Sequence, residues 1–178
     1  MRKQINTENL IIVDGHNFIF NFFKAGKLSK GKVDYLKEKL VSDLAWYKNL
    51  KNCDVIVVFD ARSSDNLKRE SQLVDGVKVI YSKKSETADD IIEELAGSET
   101  GHKRIFVVTS DYLQQKVIFR KNVYRKSSRE FNLELIDLKR KVREDIIDSR
   151  KNSNRHFLSL EKRLNSNAKK RLSELRKK

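Results

Sequence analysis

The stretch "LIIVDGHNFIF", residues 10–20, decides the fold. Four aliphatic residues precede Asp14, and a short continuous apolar run of this kind is typical of a strand that is covered on both faces of a sheet. A carboxylate after such a run has two explanations. Either it caps the next helix or holds a turn, or it belongs to a site where other carboxylates lie beside it.

The same pattern recurs along the chain. "VIVVFD" and "RIFVVTSD" are also apolar runs that lead to an Asp, and "VKVIYS" is a weaker fourth strand; these lie at residues 55–60, 104–111 and 77–82. Helices are predicted between the strands, over residues 32–50, 86–96 and 112–121. Val33, Leu36, Leu40, Leu44 and Tyr47 form an apolar stripe that must pack on the sheet. The alternation predicts an α/β fold, a three-layer α/β/α sandwich with a mainly parallel central sheet.

The positive charge is concentrated in the C-terminal third. The chain carries 39 Lys and Arg against 25 Asp and Glu, and residues 120–178 hold 20 of the basic and 8 of the acidic side chains. Such a basic segment suggests a polyanionic partner, of which nucleic acid is the commonest, although a solvated helix surface gives the same composition.

The domain prediction follows the helical pattern after residue 127. Ser127 and Glu130 resemble a capping box, and the helix that follows places Phe131, Leu135, Leu138, Val142 and Ile146 on one side. "KNSN" at residues 151–154 is expected to interrupt this helix. We therefore predict one domain over residues 1–150 and a basic helical tail over 151–178.

The compartment is predicted from what the sequence lacks. Cys53 is the one cysteine in the 178 residues, so no internal disulfide forms and no disulfide-linked partner is expected. The N-terminus resembles no signal peptide, and no apolar run approaches the length of a membrane span. We expect a cytoplasmic protein with no membrane partner.

Parallel strands bring their carboxyl ends to one edge of a sheet, where ligands normally bind. Asp14, Asp60 and Asp111 are therefore expected to converge. The helix "TADDIIEELA" adds Asp89, which lies in its first turn at the border of the apolar arc, whereas Asp90 and Glu94 point outward. The alternative for residues 89–94 is that their acids form only the solvated face of an amphipathic helix.

Crowded carboxylates repel one another unless a cation lies between them. An all-oxygen site suits Mg²⁺ or Mn²⁺, with waters in the remaining coordination positions. Such ions promote phosphodiester hydrolysis because they lower the pKa of a bound water and stabilise charge on phosphate oxygens.

The four motifs together resemble a known family. "VDGHN", "VVFDA", "ETADDIIEEL" and "VVTSD" occur in the order and spacing of the NYN domain, a branch of the PIN-like nuclease superfamily, and "RKSSREF" at 125–131 is similar to a segment of the YacP type. The resemblance implies a metal-dependent endoribonuclease that cuts messenger RNA in association with the ribosome. It also implies a catalytic set made of Asp14, Asp60, Asp89, Asp111 and Asn17. Within this set, Asp14, Asp89 and Asp111 match the family's metal-binding residues and are the predicted metal ligands.

Further roles come from the same resemblance. Asn17 would orient Asp14 or a water, and Thr109 and Ser110 would hydrogen-bond the carboxylates. The family commonly has Tyr where this chain has His16. This residue could be a general acid or a phosphate contact, but we expect a turn residue that packs against the domain. Arg125, Lys126 and Arg129 are predicted to contact RNA phosphates because the matched segment contains them. Arg62, Lys83 and Lys84 lie beside the motifs in the sequence and are predicted to contact RNA phosphates as well, with ordinary surface charge as the alternative.

Two aromatic residues lie near the motifs. Tyr112 and Phe18 could stack on RNA bases, although each suits a core as well. One rival is a catalytically inactive RNA- or ribosome-binding module, in which the carboxylates are only structural caps. The other is a phosphatase of the haloacid dehalogenase type, which needs a second carboxylate at position 16, where this chain has His.

Overall fold

The computed structural model describes residues 8–22, 29–60, 68–98, 101–110, 121–163 and residue 174. Within these ranges the elements follow in the order β1 (Asn9–Asp14), α1 (Gly15–Phe22), α2 (Lys30–Lys51), β2 (Asp54–Phe59), β3 (Glu70–Val74), β4 (Val77–Tyr81), α3 (Ala88–Ser98), β5 (Arg104–Val108), β6 (Val123–Lys126) and α4 (Ser128–Arg163). No helix in the described ranges combines the length and the apolar character needed to cross a bilayer.

The described strands form one sheet in the order β3-β4-β2-β1-β5-β6. All neighbouring pairs are parallel except β3 with β4, so the predicted mainly parallel α/β sheet is confirmed. The β3–β4 hairpin was not predicted, although its turn residues Asp75 and Gly76 both have positive φ, at 49° and 82°. An Asp-Gly pair is a strong hairpin signal, but β3 is too exposed to show an apolar pattern.

The sheet is covered on both faces, as a three-layer fold requires. On one face, α3 buries Ala88, Ile91, Ile92, Leu95 and Ala96 against Leu10, Ile12, Ile56, Val58 and other strand residues. On the other face lie α1 and α2, and the predicted stripe of α2 is buried at Leu36, Leu40, Leu44 and Tyr47. Phe131 of α4 contacts Phe18 and Tyr47 on that same face.

The helix α1 begins directly after β1, where the sequence predicts only a turn. Gly15 is its first residue, and Phe18 and Ile19 are buried by it. The helix starts without a loop because Asp14, the last residue of the strand, accepts a hydrogen bond from the N–H of Asn17 at 3.0 Å. One residue therefore ends the strand and caps the helix.

The helix α4 confirms one prediction and contradicts another. The Oε2 atom of Glu130 accepts hydrogen bonds from the N–H and the hydroxyl of Ser127, as expected of a capping box. The predicted interruption at residues 151–154 is wrong, because α4 continues to Arg163. Asn and Ser each cost only a few tenths of a kcal/mol in a helix, which is too little to end one.

The contacts divide the chain into two compact units, Met1–Leu135 and Ile136–Lys178. The apolar stripe of α4 is buried at Phe131 and Leu135 in the first unit, whereas Ile146 in the second unit is 47% exposed. The predicted boundary near residue 150 stays a prediction.

A half-buried carboxylate joins three elements of the first unit. Glu134 of α4 accepts hydrogen bonds from the Tyr47 hydroxyl at 3.0 Å and from the Lys126 ammonium at 2.6 Å, and Lys51 lies 3.4 Å away. Burial alone would raise the pKa of Glu134, but Lys126, Tyr47 and Lys51 outweigh it and lower that pKa from its usual 4.5. The ionised form is therefore the one that the fold stabilises.

This network predicts a pH-dependent stability. A group whose pKa is lower in the folded state contributes stability above its unfolded pKa and loses it as the pH falls through the folded value. We expect Glu134→Gln to lower the free energy of unfolding by about 1–2 kcal/mol near neutral pH. The difference from wild type should shrink as the pH falls from about 5 to 3, measured by urea denaturation. A difference that stays constant over this range would contradict the assigned role.

Candidate active site

Two of the predicted carboxylates lie at neighbouring strand ends. Asp14 is the last residue of β1 and pairs in register with Val58 of β2, so that Asp60 follows two residues farther along. Adjacent strands are about 4.8 Å apart, and residues two apart on a strand share a face. Asp14 therefore lies on the same face of the sheet as Leu10 and Ile12, which pack against α3. Asp60 lies on that face too, in line with Val58.

Asp60 is held by two side chains. Its N–H donates to Nδ1 of His16 at 3.1 Å, and its Oδ1 accepts from the Ser82 hydroxyl at 3.3 Å. His16 stacks on Phe20 and meets Phe59 edge-on, at centroid distances of 5.8 and 5.6 Å. The prediction that His16 packs against the domain is confirmed. Its ring also links the start of α1 to the end of β2.

Asn17 joins three chain segments through one atom. Its side-chain Oδ1 accepts from the N–H of Ser110 at 3.0 Å, from the hydroxyl of Ser128 at 2.9 Å and from Nδ2 of Asn21 at 2.9 Å. Its own N–H donates to Asp14, so the residue does contact the carboxylate that it was predicted to orient. Asn17 thus connects the end of β1, the end of β5 and the start of α4.

Ser128 is the site residue that the sequence analysis missed. Its side chain is fully buried, its hydroxyl donates to Asn17 and its N–H donates to Ser110 Oγ at 3.3 Å. Thr109, which precedes Ser110, is also fully buried, and its N–H donates to the carbonyl of Lys126. The segment "RKSSREF" was singled out for its basic residues, and the second serine of the pair was a signal that went unused.

Asp89 lies in the first turn of α3, which starts on the same edge because the chain leaves β4 there. Thr87 and Asp90 cap this helix: Asp90 accepts hydrogen bonds from the N–H and the hydroxyl of Thr87 at 2.9 and 2.7 Å. Those hydrogen bonds lower the pKa of Asp90. Asp90 is therefore part of the helix cap, and the assignment of Asp89 to the site stays a prediction.

Arg69 holds α3 through two carboxylates, Glu86 just before the helix and Glu94 within it. Its guanidinium donates to both oxygens of Glu86 and both oxygens of Glu94, which is a double bidentate contact. Hydrogen bonding to Arg69 lowers the pKa of each carboxyl. Glu94 therefore points away from the helix's apolar arc, as predicted, and pairs with Arg69. Because Arg69 directly precedes β3, this ion pair connects the start of β3 to the helix that carries Asp89.

Part of the predicted site lies outside the described residues. Asp111, Arg62 and Tyr112 belong to this part, as does the helix predicted over 112–121. Within the described ranges, no group of three or more His, Cys, Asp or Glu side chains is arranged to hold a metal ion. The assignment of Asp14, Asp89 and Asp111 as metal ligands therefore stays a prediction.

The predicted RNA contacts differ in their surroundings. Arg125 and Arg129 are exposed next to the start of α4, and Lys83 and Lys84 lie on the loop between β4 and α3 at the same sheet edge. Lys126 is different, because its ammonium pairs with Glu134 and lies 5.4 Å above the centre of the Phe106 ring. It has an internal role whether or not it also contacts RNA.

Of the two predicted stacking residues, the described one belongs to the core. Phe18 is 6% exposed and packs on Phe22 and Phe131, with centroid distances of 4.9 and 5.9 Å. The aromatic position three residues into α1 serves packing because its side chain faces α4. Phe18 is therefore not available to stack on a base.

Comparisons with known proteins identify the relatives of this chain. A family model for the YacP-like NYN domain matches residues 11–177. YacP of Bacillus subtilis (strain 168) is 34% identical over 135 residues, which cover 75% of this chain and 79% of that protein. The crystal structure of Rae1 (YacP) from Bacillus subtilis matches with a TM-score of 0.65 and 31% identity, covering 94% of each chain.

A second crystal structure of Rae1 (YacP), that of a tryptophan-to-leucine mutant, matches with the same TM-score of 0.65 over 79% of this chain and 82% of that one. The match of the family model extends over nearly the whole chain, and it includes every strand end at which an acidic residue was predicted. The chain therefore belongs to the YacP-like NYN domain family, a branch of the PIN-like nuclease superfamily.

Proposed function

We propose that this protein is a metal-dependent endoribonuclease that hydrolyses RNA phosphodiester bonds and cuts messenger RNA in association with the ribosome. Its nuclease family supports the reaction class. The catalytic set is Asp14, Asp60, Asp89, Asp111 and Asn17. The finer assignment rests on one observation: Asp14 ends β1 and Asp60 follows the end of the neighbouring strand β2, at the sheet edge where α3 starts with Asp89 in its first turn.

The donor chemistry of this edge fits Mg²⁺ or Mn²⁺. The candidate ligands are carboxylates, and the nearby His16 uses Nδ1 to accept the Asp60 N–H. Hard divalent ions prefer such oxygen ligands. Asp14, Asp89 and Asp111 would hold the ion, which would supply an activated water and stabilise charge on the phosphate.

The chain's own residues supply the framework for this chemistry. Asn17 fixes Asp14 through its N–H, and Ser82 fixes Asp60 through its hydroxyl. Arg69 holds α3, and with it Asp89, against the start of β3. Asp14 and Asp60 are thus held in place before a substrate binds, which is an arrangement that suits catalysis.

RNA is proposed as the substrate because basic side chains lie around the acidic edge. Lys83 and Lys84 are on one side and Arg125 and Arg129 on the other, and each could neutralise a backbone phosphate. The ribosome is proposed as a partner from the resemblance to the YacP type and from the basic C-terminal third. A cytoplasmic location follows from such a substrate.

The rival proposal of an inactive RNA-binding module has one observation in its favour. Asp14 caps α1, so a structural role alone would explain a carboxylate at that position. A capping role does not explain Asp89, since Thr87 and Asp90 already cap α3. The phosphatase rival loses its support, because His16 stands where that chemistry needs a second carboxylate and is packed on Phe59.

Two neighbouring acids of α3 test the proposal. With RNA and Mn²⁺, we expect Asp89→Asn to lower the cleavage rate about 10- to 100-fold, as loss of a metal ligand or its support does. Asp90→Asn is the matched control: it removes the same charge one residue away and should change the rate little. EDTA should stop cleavage by the wild type. Equal rates for both variants and the wild type, or cleavage that resists EDTA, would contradict the proposed mechanism.

A further inference from the structure

We propose that Ser128 is a positioning residue of the acidic site, which acts through Asn17 to fix Asp14 and the end of β5. This inference rests on the proposed function. Its basis is a buried hydroxyl at the first residue of α4 that donates to the same Asn17 oxygen as the Ser110 N–H, at 2.9 and 3.0 Å.

The two adjacent serines at the start of α4 have different roles. Ser127 is the helix cap, since its hydroxyl accepts the N–H of Glu130 at 3.1 Å and donates to the Glu130 carboxylate at 2.7 Å. Ser128 makes no part of this cap. Its hydroxyl is turned inward, with 0% exposure, although the first position of a helix usually faces solvent. Helix capping therefore explains Ser127 but does not explain the buried hydroxyl of Ser128.

The contacts of Ser128 all lead to the candidate site. The hydroxyl reaches Asn17, whose N–H holds Oδ1 of Asp14 at 3.0 Å. The N–H of Ser128 reaches Ser110, the residue immediately before Asp111 in the sequence. Ser128 thus supports the two strand ends that carry predicted metal ligands, on β1 and β5.

Asn17 has only one amide oxygen with which to align these segments. Its Oδ1 carries three donors, and loss of the buried Ser128 hydroxyl leaves the amide held by Ser110 and the exposed Asn21. A less constrained Asn17 weakens the geometry of the Asp14 turn, because the same residue supplies both contacts. Residues that orient metal ligands in this way typically change metal affinity or activity about 10- to 100-fold when they are replaced.

The experiment compares Ser128→Ala with Ser127→Ala in the full chain. Mn²⁺ binding is measured by isothermal titration calorimetry, and RNA cleavage is measured as kcat and KM. We expect Ser128→Ala to weaken Mn²⁺ binding and to lower kcat, each about tenfold, with KM for RNA little changed. Ser127→Ala should lower the melting temperature through the lost cap while leaving Mn²⁺ affinity and kcat close to wild type.

A double variant tests whether Ser128 acts through Asn17. In the Asn17→Ala background, Ser128→Ala should cause no further loss of Mn²⁺ affinity, because the shared contact is already absent. Equal effects of the two serine variants, or losses that multiply in the double variant, would overturn the inference. A wild-type protein that neither binds Mn²⁺ nor cuts RNA would instead overturn the proposed function, and the role of Ser128 with it.

Discussion

Replacing Asp14 with Asn should lower RNA cleavage by about 100-fold or more while the fold stays intact. Asp14 caps α1 through Oδ1, and Asn is as good a cap as Asp because its amide oxygen accepts the same hydrogen bond. The substitution removes the negative charge but keeps the cap. A metal supplies several kcal/mol of transition-state stabilisation, and each 1.4 kcal/mol is about a factor of ten in rate.

The contrast with Asp14→Ala separates the two roles of this carboxylate. The alanine variant loses both cap and charge, so it should also lower the free energy of unfolding by about 1 kcal/mol. Cleavage of RNA with Mn²⁺ gives the first quantity, and urea denaturation gives the second. If Asp14→Asn cuts RNA at the wild-type rate, the carboxylate is only a helix cap and is not a metal ligand. A wild-type protein that cuts no RNA would instead favour the inactive module.

Replacing Gly15 with Ala should cause the largest loss of stability of the changes considered. An added Cβ would lie 2.2 Å from Cε1 and 2.5 Å from Cδ1 of the Phe59 ring. That ring is fully buried and stacked on Tyr81 at 5.6 Å, so it has little room to move away. Overpacking of this kind costs about 1–3 kcal/mol or more, measured by urea denaturation.

The same change should also reduce cleavage, because Gly15 lies between Asp14 and His16 and any shift of the backbone displaces both. Gly31→Ala is the matched control, since an added Cβ there meets nothing within 4 Å. It lies in α2, where Ala is a better helix former than Gly, so stability should be unchanged or slightly higher. A Gly15→Ala protein as stable as wild type would show that the Phe59 ring can yield.

The parts of the fold that could be predicted share one property. Each is a segment whose apolar pattern is visible within a few residues, such as "LIIVD" before Asp14 or the arc of Ala88, Ile91 and Leu95 on α3, all of which are buried as expected. The edge strands β3 and β6 escaped prediction because one is exposed and the other has only four residues. A strand that buries few side chains shows no clear apolar pattern in its sequence.

Local sequence pattern also predicted only part of the candidate site. Asp14 and Asp60 could be placed on one edge because parallel strands share a direction, which is a rule about topology. The link from Ser128 to Asn17 spans 111 positions, and no local pattern marks it. Likewise, Phe18 could be assigned to core or surface only once Phe131 of α4 was known to lie against it.

The sequence by itself determined the α/β class, the strand ends that carry acids and the capping box at Ser127, because short-range periodicity and hydrogen bonding within one turn set these features. Only the tertiary structure decided which polar groups meet: His16 with Asp60, Arg69 with Glu86 and Glu94, and Ser128 with Asn17. Such contacts depend on how buried surfaces bring distant segments together, and a hydrogen bond forms only when its two atoms arrive within about 3 Å of each other.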